Sequence, residues 1–280
     1  MSRRGLFKEC SAEFAGTMIL ILFGSGVVAQ VVTLPDGAGG DHDSIAWAWG
    51  IGVTLGVYTA ARISGGHLNP AVTVASAVFK GFEWRKVLPY SLAQLAGAFV
   101  AAAIVRVAYD DLITGFDPDT GYASQGIFST SPSEGVTMLT AFADQIIGTA
   151  ILVFVVFALT HARNNPPLSN LGPVLVGLVV VAIGMAWGAN AGYAINPARD
   201  LGPRLAQWMT GYANAFRSTT GDHPIYFWVP IVAPLLGGIV GGGAFHVLVG
   251  RHLDAEEDDE ADGAVPDGLD PSPEREAELA

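Results

Sequence analysis

Hydrophobic positions fall into six long runs, at about 11–32, 45–63, 87–108, 139–161, 171–189 and 226–249, separated by short polar stretches. Each is apolar around its whole circumference for roughly 20 residues, the length a helix needs to cross a hydrocarbon layer about 30 Å thick. Two further apolar pieces, at about 70–79 and 197–208, have half that length. The pattern predicts an all-α membrane protein with six crossing helices and two half-helices. The first run follows Arg3, Arg4 and Lys8. It is too long for the apolar region of a signal peptide and is repeated in the second half, so it reads as a retained helix.

Orientation follows from the basic residues flanking the runs. Arg3, Arg4 and Lys8, then Lys80, Arg85 and Lys86, then His161 and Arg163, then Arg251 alternate onto one face. The other face receives Asp36, Asp41, Asp43, Asp110, Asp111, Asp117, Asp119 and Glu134. Both termini are expected in the cytoplasm, in a multi-pass protein of the plasma membrane.

The sequence repeats itself. His67-Leu68-Asn69-Pro70-Ala71-Val72 is echoed by Ala194-Ile195-Asn196-Pro197-Ala198-Arg199, 127 residues on. Glu13-x-x-Gly16-Thr17 is echoed by Gln145-x-x-Gly148-Thr149, and Pro89 and Gly97 by Pro230 and Gly238. Each half holds three runs and one short piece. Three is odd, so the second half must be inverted relative to the first. Inverted repeats place a functional site at their interface, with broken helices pointing into it.

The two Asn-Pro-Ala triplets mark where the half-helices begin. Asn is a strong N-cap, and Pro is favoured at the first helical position. Ten residues from Pro70 span about 15 Å, so two such pieces entering from opposite faces meet near the middle of the layer. Their N-termini, each carrying roughly half a positive charge, then face a common centre and repel a cation there. The Asn69 and Asn196 amides are expected to have NH₂ groups free to donate to a passing hydroxyl or water. Such a pair of triplets points to a pore.

Composition sharpens this picture. Of 280 residues, 51% are hydrophobic, 14% are charged and 35 are Gly, which disfavours a soluble enzyme, a disordered chain and a nucleic-acid binder. The net charge of −12 is concentrated at the end: residues 254–280 hold twelve Asp or Glu and one Arg, leaving −1 for the rest. Residues 1–253 are therefore expected to form the membrane domain, and 254–280 an acidic, disordered cytoplasmic tail. One cysteine, Cys10, excludes an intrachain disulfide and a cysteine metal cluster. No metal or cofactor is expected.

Arg199 sits three residues into the second half-helix. A charge at membrane depth costs at least about 2.5–3.5 kcal/mol and usually faces a wet cavity. The alternative is a buried pair with Asp200, although adjacent helical residues point in different directions. Glu13 and Gln145 lie within runs and need partners. They are read as holding the two irregular loops, with generic interhelical hydrogen bonds as the alternative.

These residues carry a resemblance. Over about residues 8–253 the chain resembles the major intrinsic proteins, the aquaporin and glycerol-facilitator family. The resemblance implies a right-handed bundle with an inverted three-plus-three repeat, a homotetramer with a pore in each subunit, and passive conduction of small uncharged solutes. It also implies a narrowest ring made by Trp49, Gly184, Tyr193 and Arg199. Carbonyl ladders are implied along Gly65, Gly66, His67 and Leu68, and along Gly192, Ala194 and Ile195.

Water-selective members resemble one another in having His where this chain has Gly184, so space is expected to open there. Trp49 and Tyr193 are then expected to form an apolar corner opposite a polar wall carrying Arg199. That arrangement suits glycerol. Asp200, Arg204, Tyr109 and Pro234-Leu235, with long loops at 109–138 and 209–225, resemble the glycerol-conducting branch. Gln145 departs from the Glu common in bacterial facilitators, and Tyr193 from the usual Phe.

The expectation is a passive channel for glycerol, similar small uncharged solutes and water, excluding ions and protons. A predominantly water-selective pore is the alternative. A secondary transporter would need matched membrane carboxylates, and Glu13, Asp144 and Asp200 have no acidic counterparts in the other half. An intramembrane hydrolase would need Gly24-Ser25-Gly26 and His246 in mutual reach, and Gly-Ser-Gly in a glycine-rich helix is a packing feature.

Overall fold

In hydrocarbon a backbone must satisfy its own hydrogen bonds, and each long apolar run does so as a helix. The computed structural model describes residues 3–119, 121–218 and 225–255. The helices are α1 (Arg3–Thr33), α2 (His42–Ser64), α3 (Pro70–Phe79), α4 (Trp84–Ala108), α5 (Asp110–Phe116), α6 (Met138–Thr160), α7 (Gly172–Trp187), α8 (Pro197–Met209) and α9 (Val229–Phe245). A π-helical turn at His246–Gly250 extends α9. No strand occurs among the described residues.

Among the described residues, five segments are long and apolar enough to cross a membrane: Arg4–Thr33, α2, α4, α6 and Tyr226–Ala255. Helix α7 is shorter than the run at 171–189 suggests, with 16 residues covering about 24 Å. It stops at Trp187 because the chain turns to bond the preceding loop: the Ser133 hydroxyl donates to the Ala189 carbonyl at 2.7 Å, and the Ser133 N–H to the Asn190 carbonyl at 2.9 Å. Helix α5 was hidden inside the loop expected at 109–138. Asp110 and Asp111 in its first turn complement the positive helix end.

The two halves are built alike. Helix α1 packs on α2 and α4, as α6 packs on α7 and α9. The half-helices cross between halves, α3 against α9 and α8 against α4, and α2 meets α7 at the seam. Glycines permit these approaches. A Cβ on Gly50 would lie 2.6 Å from the Gly177 carbonyl, and one on Gly177 would lie 2.4 Å from the Gly50 carbonyl. Such close backbone contact is how helices associate where water supplies no driving force.

Of the expected acidic tail, residues 256–280 lie outside the described residues. Asp254, still within the helical extension, pairs with Arg163 at 2.8 Å.

Candidate functional site

Helices α3 and α8 start at the two Asn-Pro pairs, as the triplets predict. Asn69 Oδ1 accepts from the Ala71 N–H at 2.8 Å. Asn196 Oδ1 accepts from Ala198 at 3.0 Å and Arg199 at 3.2 Å. The amide groups are not both free, however. Asn69 Nδ2 donates to the Ile195 carbonyl and Asn196 Nδ2 to the Leu68 carbonyl, each at 2.8 Å. Each cap thus grips the loop leading to the other, leaving one N–H per amide uncommitted. Leu68 and Ile195 have φ of +51° and +43°, a region costly for branched side chains. The caps and the loop bonds hold them there.

Glu13, on α1, gathers the first loop. Its Oε1 accepts from the Ser64 hydroxyl at 2.6 Å and the His67 N–H at 3.0 Å. Its Oε2 accepts from the Leu68 N–H and Gln94 Nε2, both at 2.7 Å. Gln145, its counterpart on α6, holds the second loop by different chemistry. Oε1 accepts from the Ile195 N–H at 3.1 Å, while Nε2 donates to the Gly192 carbonyl at 2.8 Å.

Between the halves runs a cavity of about 240 Å³. Its apolar lining includes Leu20, Val53, Val57, Leu152, Val176 and Val180. The rest of the lining comes from the two loops and polar side chains: Gly65, Gly66, His67, Leu68, Asn69, Ala194, Ile195, Asn196 and Arg199, with Trp49 and Tyr193. Pro70, Ala71, Pro197 and Ala198 lie buried behind the caps. A cavity that combines aliphatic side chains with loop backbone and polar groups offers both apolar contact and hydrogen-bond partners.

Two sequence expectations need correcting at the narrow ring. Arg199 does not face Trp49 across the lumen: its guanidinium lies over the indole, 4.0 Å from the ring centre, where cation and π-face attract. Nor does Gly184 open space. A Cβ there would meet Tyr193 Cζ at 2.7 Å, so the phenol occupies the missing volume, and Gly184 is not among the residues lining the cavity. Gly192 is not a lining residue either, and its carbonyl is taken by Gln145. The Tyr193 hydroxyl is buried without a protein partner.

A description of the major intrinsic protein family matches residues 1–245. The chain belongs to this family. It is 42% identical to the glycerol uptake facilitator protein of Pseudomonas aeruginosa over 256 residues, 89% of this chain and 91% of that one. It is 43% identical to aquaporin-10 of Milnesium tardigradum over 262 residues, 88% of this chain and 64% of that longer protein. The solved aquaglyceroporin of Plasmodium falciparum superposes with a TM-score of 0.81 at 31% identity, covering 89% of this chain and 99% of that one.

In this major intrinsic protein, sequence reasoning missed the framework around Arg199. Arg199 Nη1 reaches the Phe128 carbonyl at 3.5 Å. Asp200 pairs with Arg204, not Arg199, and accepts from the Thr130 N–H and hydroxyl at 2.8 and 2.7 Å. Arg204 donates to the Thr130 and Ala215 carbonyls, tying the loops before α6 and after α8 to the half-helix. The signal was present: acid and base four apart in a half-span helix meet on one face. At the C-terminal end of α3, Lys80 Nζ donates to Thr160 Oγ1 at 2.7 Å and sits 5.0 Å from the centre of the Phe157 ring. Burial there lowers its pKa.

Proposed function

We propose that this chain is a passive channel for glycerol and similar small uncharged solutes, conducting water as well and excluding ions and protons. One observation carries the reading. Two half-helix N-termini, capped by Asn69 and Asn196, open onto a cavity lined by aliphatic side chains together with loop backbone. A polyol lays its carbons on the aliphatic side chains while its hydroxyls bond the caps, Arg199 and free loop carbonyls. An unpaired buried hydroxyl would cost about 1–3 kcal/mol, so continuous partners matter. The opposed positive helix ends and Arg199 repel cations, hydronium included. No chemical reaction occurs. The names of the Pseudomonas and Plasmodium relatives agree with glycerol passage.

Trp49, Gly184, Tyr193 and Arg199 form the selectivity ring, with Gly184 acting as the seat of Tyr193. Glu13 and Gln145 are the loop supports. Residues 1–253 make up the channel and 254–280 an acidic cytoplasmic tail. The basic ends at Lys80, Arg85, Lys86 and Arg163 favour a plasma-membrane protein with both termini inside. The assembly is a homotetramer in the lipid bilayer.

The Tyr193 phenol over Gly184 narrows the ring and supports the second reading, a mainly water-selective pore. Stopped-flow light scattering on proteoliposomes separates the two. Glycerol and water permeabilities both well above those of empty vesicles are expected; water flux alone establishes the second reading, and neither flux overturns both.

A further inference from the structure

The two loop supports differ in a way that calls for a partner. In the first half, Glu13 is an acceptor only, and Gln94 supplies an amide donor to it at 2.7 Å. By the repeat that aligns Gly97 with Gly238, Gln94 corresponds to Leu235, which has no donor. Gln145 brings its own donor. An amide can sit two ways round, and only one serves the loop: Oε1 on the Ile195 N–H and Nε2 on the Gly192 carbonyl.

Asp144 reinforces that way round. It is 5% exposed, and its Oδ2 accepts from Gln145 Nε2 at 3.2 Å while Oδ1 accepts from Asn190 Nδ2 at 3.0 Å. None of the ion pairs among the described residues involves it. A carboxylate accepts and never donates, so a flipped Gln145 would set its oxygen against both Asp144 and the Gly192 carbonyl.

We infer that Asp144 is a positioning residue of the channel: it fixes the Gln145 amide and through it the loop 192–195 that carries Tyr193. The inference rests on the channel reading. It explains why Gln stands where Glu is usual. A carboxylate in place of the Gln145 amide would lie side by side with that of Asp144 and face the Gly192 carbonyl with a further oxygen. In the first half, the His67 N–H turns to Glu13, whereas in the second the Ala194 N–H bonds the Gly192 carbonyl at 2.7 Å. The second loop is shaped for an amide held by an acid.

The test compares wild type, Asp144→Leu, Asp144→Asn, Gln145→Glu and the double variant Asp144→Asn/Gln145→Glu in proteoliposomes, reading glycerol and water permeability together. Wild-type flux tests the channel reading by itself. Asp144→Leu is expected to lower the glycerol-to-water ratio about tenfold, equivalent to about 1.4 kcal/mol of barrier. Asp144→Asn offers one acceptor oxygen and an NH₂ that can also donate to a flipped Gln145, so it selects less strictly and should fall between wild type and Asp144→Leu. Gln145→Glu should fall as Asp144→Leu does. The double variant should recover part of the ratio lost in Gln145→Glu, because the amide introduced by Asp144→Asn can donate to the new carboxylate while the Gly192 carbonyl still lacks its side-chain donor. A purely structural role would lower yield without that recovery. If Asp144→Leu fails to fold, the Gln145→Glu pair still decides. A wild-type ratio in Asp144→Leu or in Gln145→Glu overturns the inference, as does a double variant no better than Gln145→Glu.

Discussion

Gly184 and Tyr193 share one volume: a Cβ on the glycine would lie 2.7 Å from Cζ of the phenol and 3.0 Å from its hydroxyl. In the proposed ring, the glycine therefore acts through the aromatic residue it seats. Any side chain at 184 must displace Tyr193, which lines the cavity.

Gly184→Ala is accordingly expected to lower glycerol permeability about tenfold or more, and Gly184→His to abolish it while part of the water flux survives. Overpacking a tight site costs about 1–3 kcal/mol, which corresponds to roughly five- to 160-fold in rate. Adding Tyr193→Ala to Gly184→Ala should restore glycerol flux. Parallel stopped-flow measurements on correctly assembled protein check this. Undiminished glycerol flux in Gly184→Ala would remove the pair from the constriction.

Ionic current should be absent. Purified protein in planar bilayers is expected to give no reproducible single-channel conductance, because Arg199 and two positive helix ends converge where a cation would lose its hydration. Discrete wild-type openings carrying sodium or protons would contradict this arrangement.

The long apolar runs and the doubled triplets made the helices and the meeting of the two loops legible in advance, since both obey local rules of length and capping. Short polar stretches did not reveal α5, whose seven residues carry no long apolar run. At the ring, position was legible and direction was not. Nothing local to Arg199 says that it lies on Trp49, and nothing local to Gly184 says that Tyr193, nine residues on, fills its place. Those are tertiary outcomes, set by where the loop 192–195 is pinned. Glu13 was legible as a loop support because a lone acid in an apolar helix must find donors, and four converge on it. Asp144 reads from sequence only as a candidate transporter acid, since its role depends on its neighbour's amide.

Mercurials should have little effect. The only cysteine, Cys10, is half-buried near the start of α1 and absent from the cavity lining. Water flux should be unchanged by HgCl₂ in wild type and in Cys10→Ser alike. Inhibition relieved by Cys10→Ser would place that thiol beside the pore.

Arg204→Leu should damage the fold and the ring together. Arg204 and Asp200 are both fully buried, so removing the guanidinium strands a carboxylate that keeps only the Thr130 donors. Breaking a buried pair on one side costs about 3–5 kcal/mol. The Thr130 and Ala215 carbonyls lose their donor at the same time. Arg204→Lys keeps the charge, but a single ammonium cannot replace a planar fork serving three acceptors, so it should fall between wild type and Arg204→Leu. Thermal stability in detergent should follow the order Arg, Lys, Leu. Hydrogen exchange should rise first at 128–131 and 212–218, the two loops that Arg204 joins. Phe128, whose carbonyl receives Arg199, sits two residues before Thr130, so solute discrimination should loosen in Arg204→Lys before conduction is lost. Equal stability of Arg204→Leu and wild type, with no change in exchange at either loop, would show that the pair does not hold the ring.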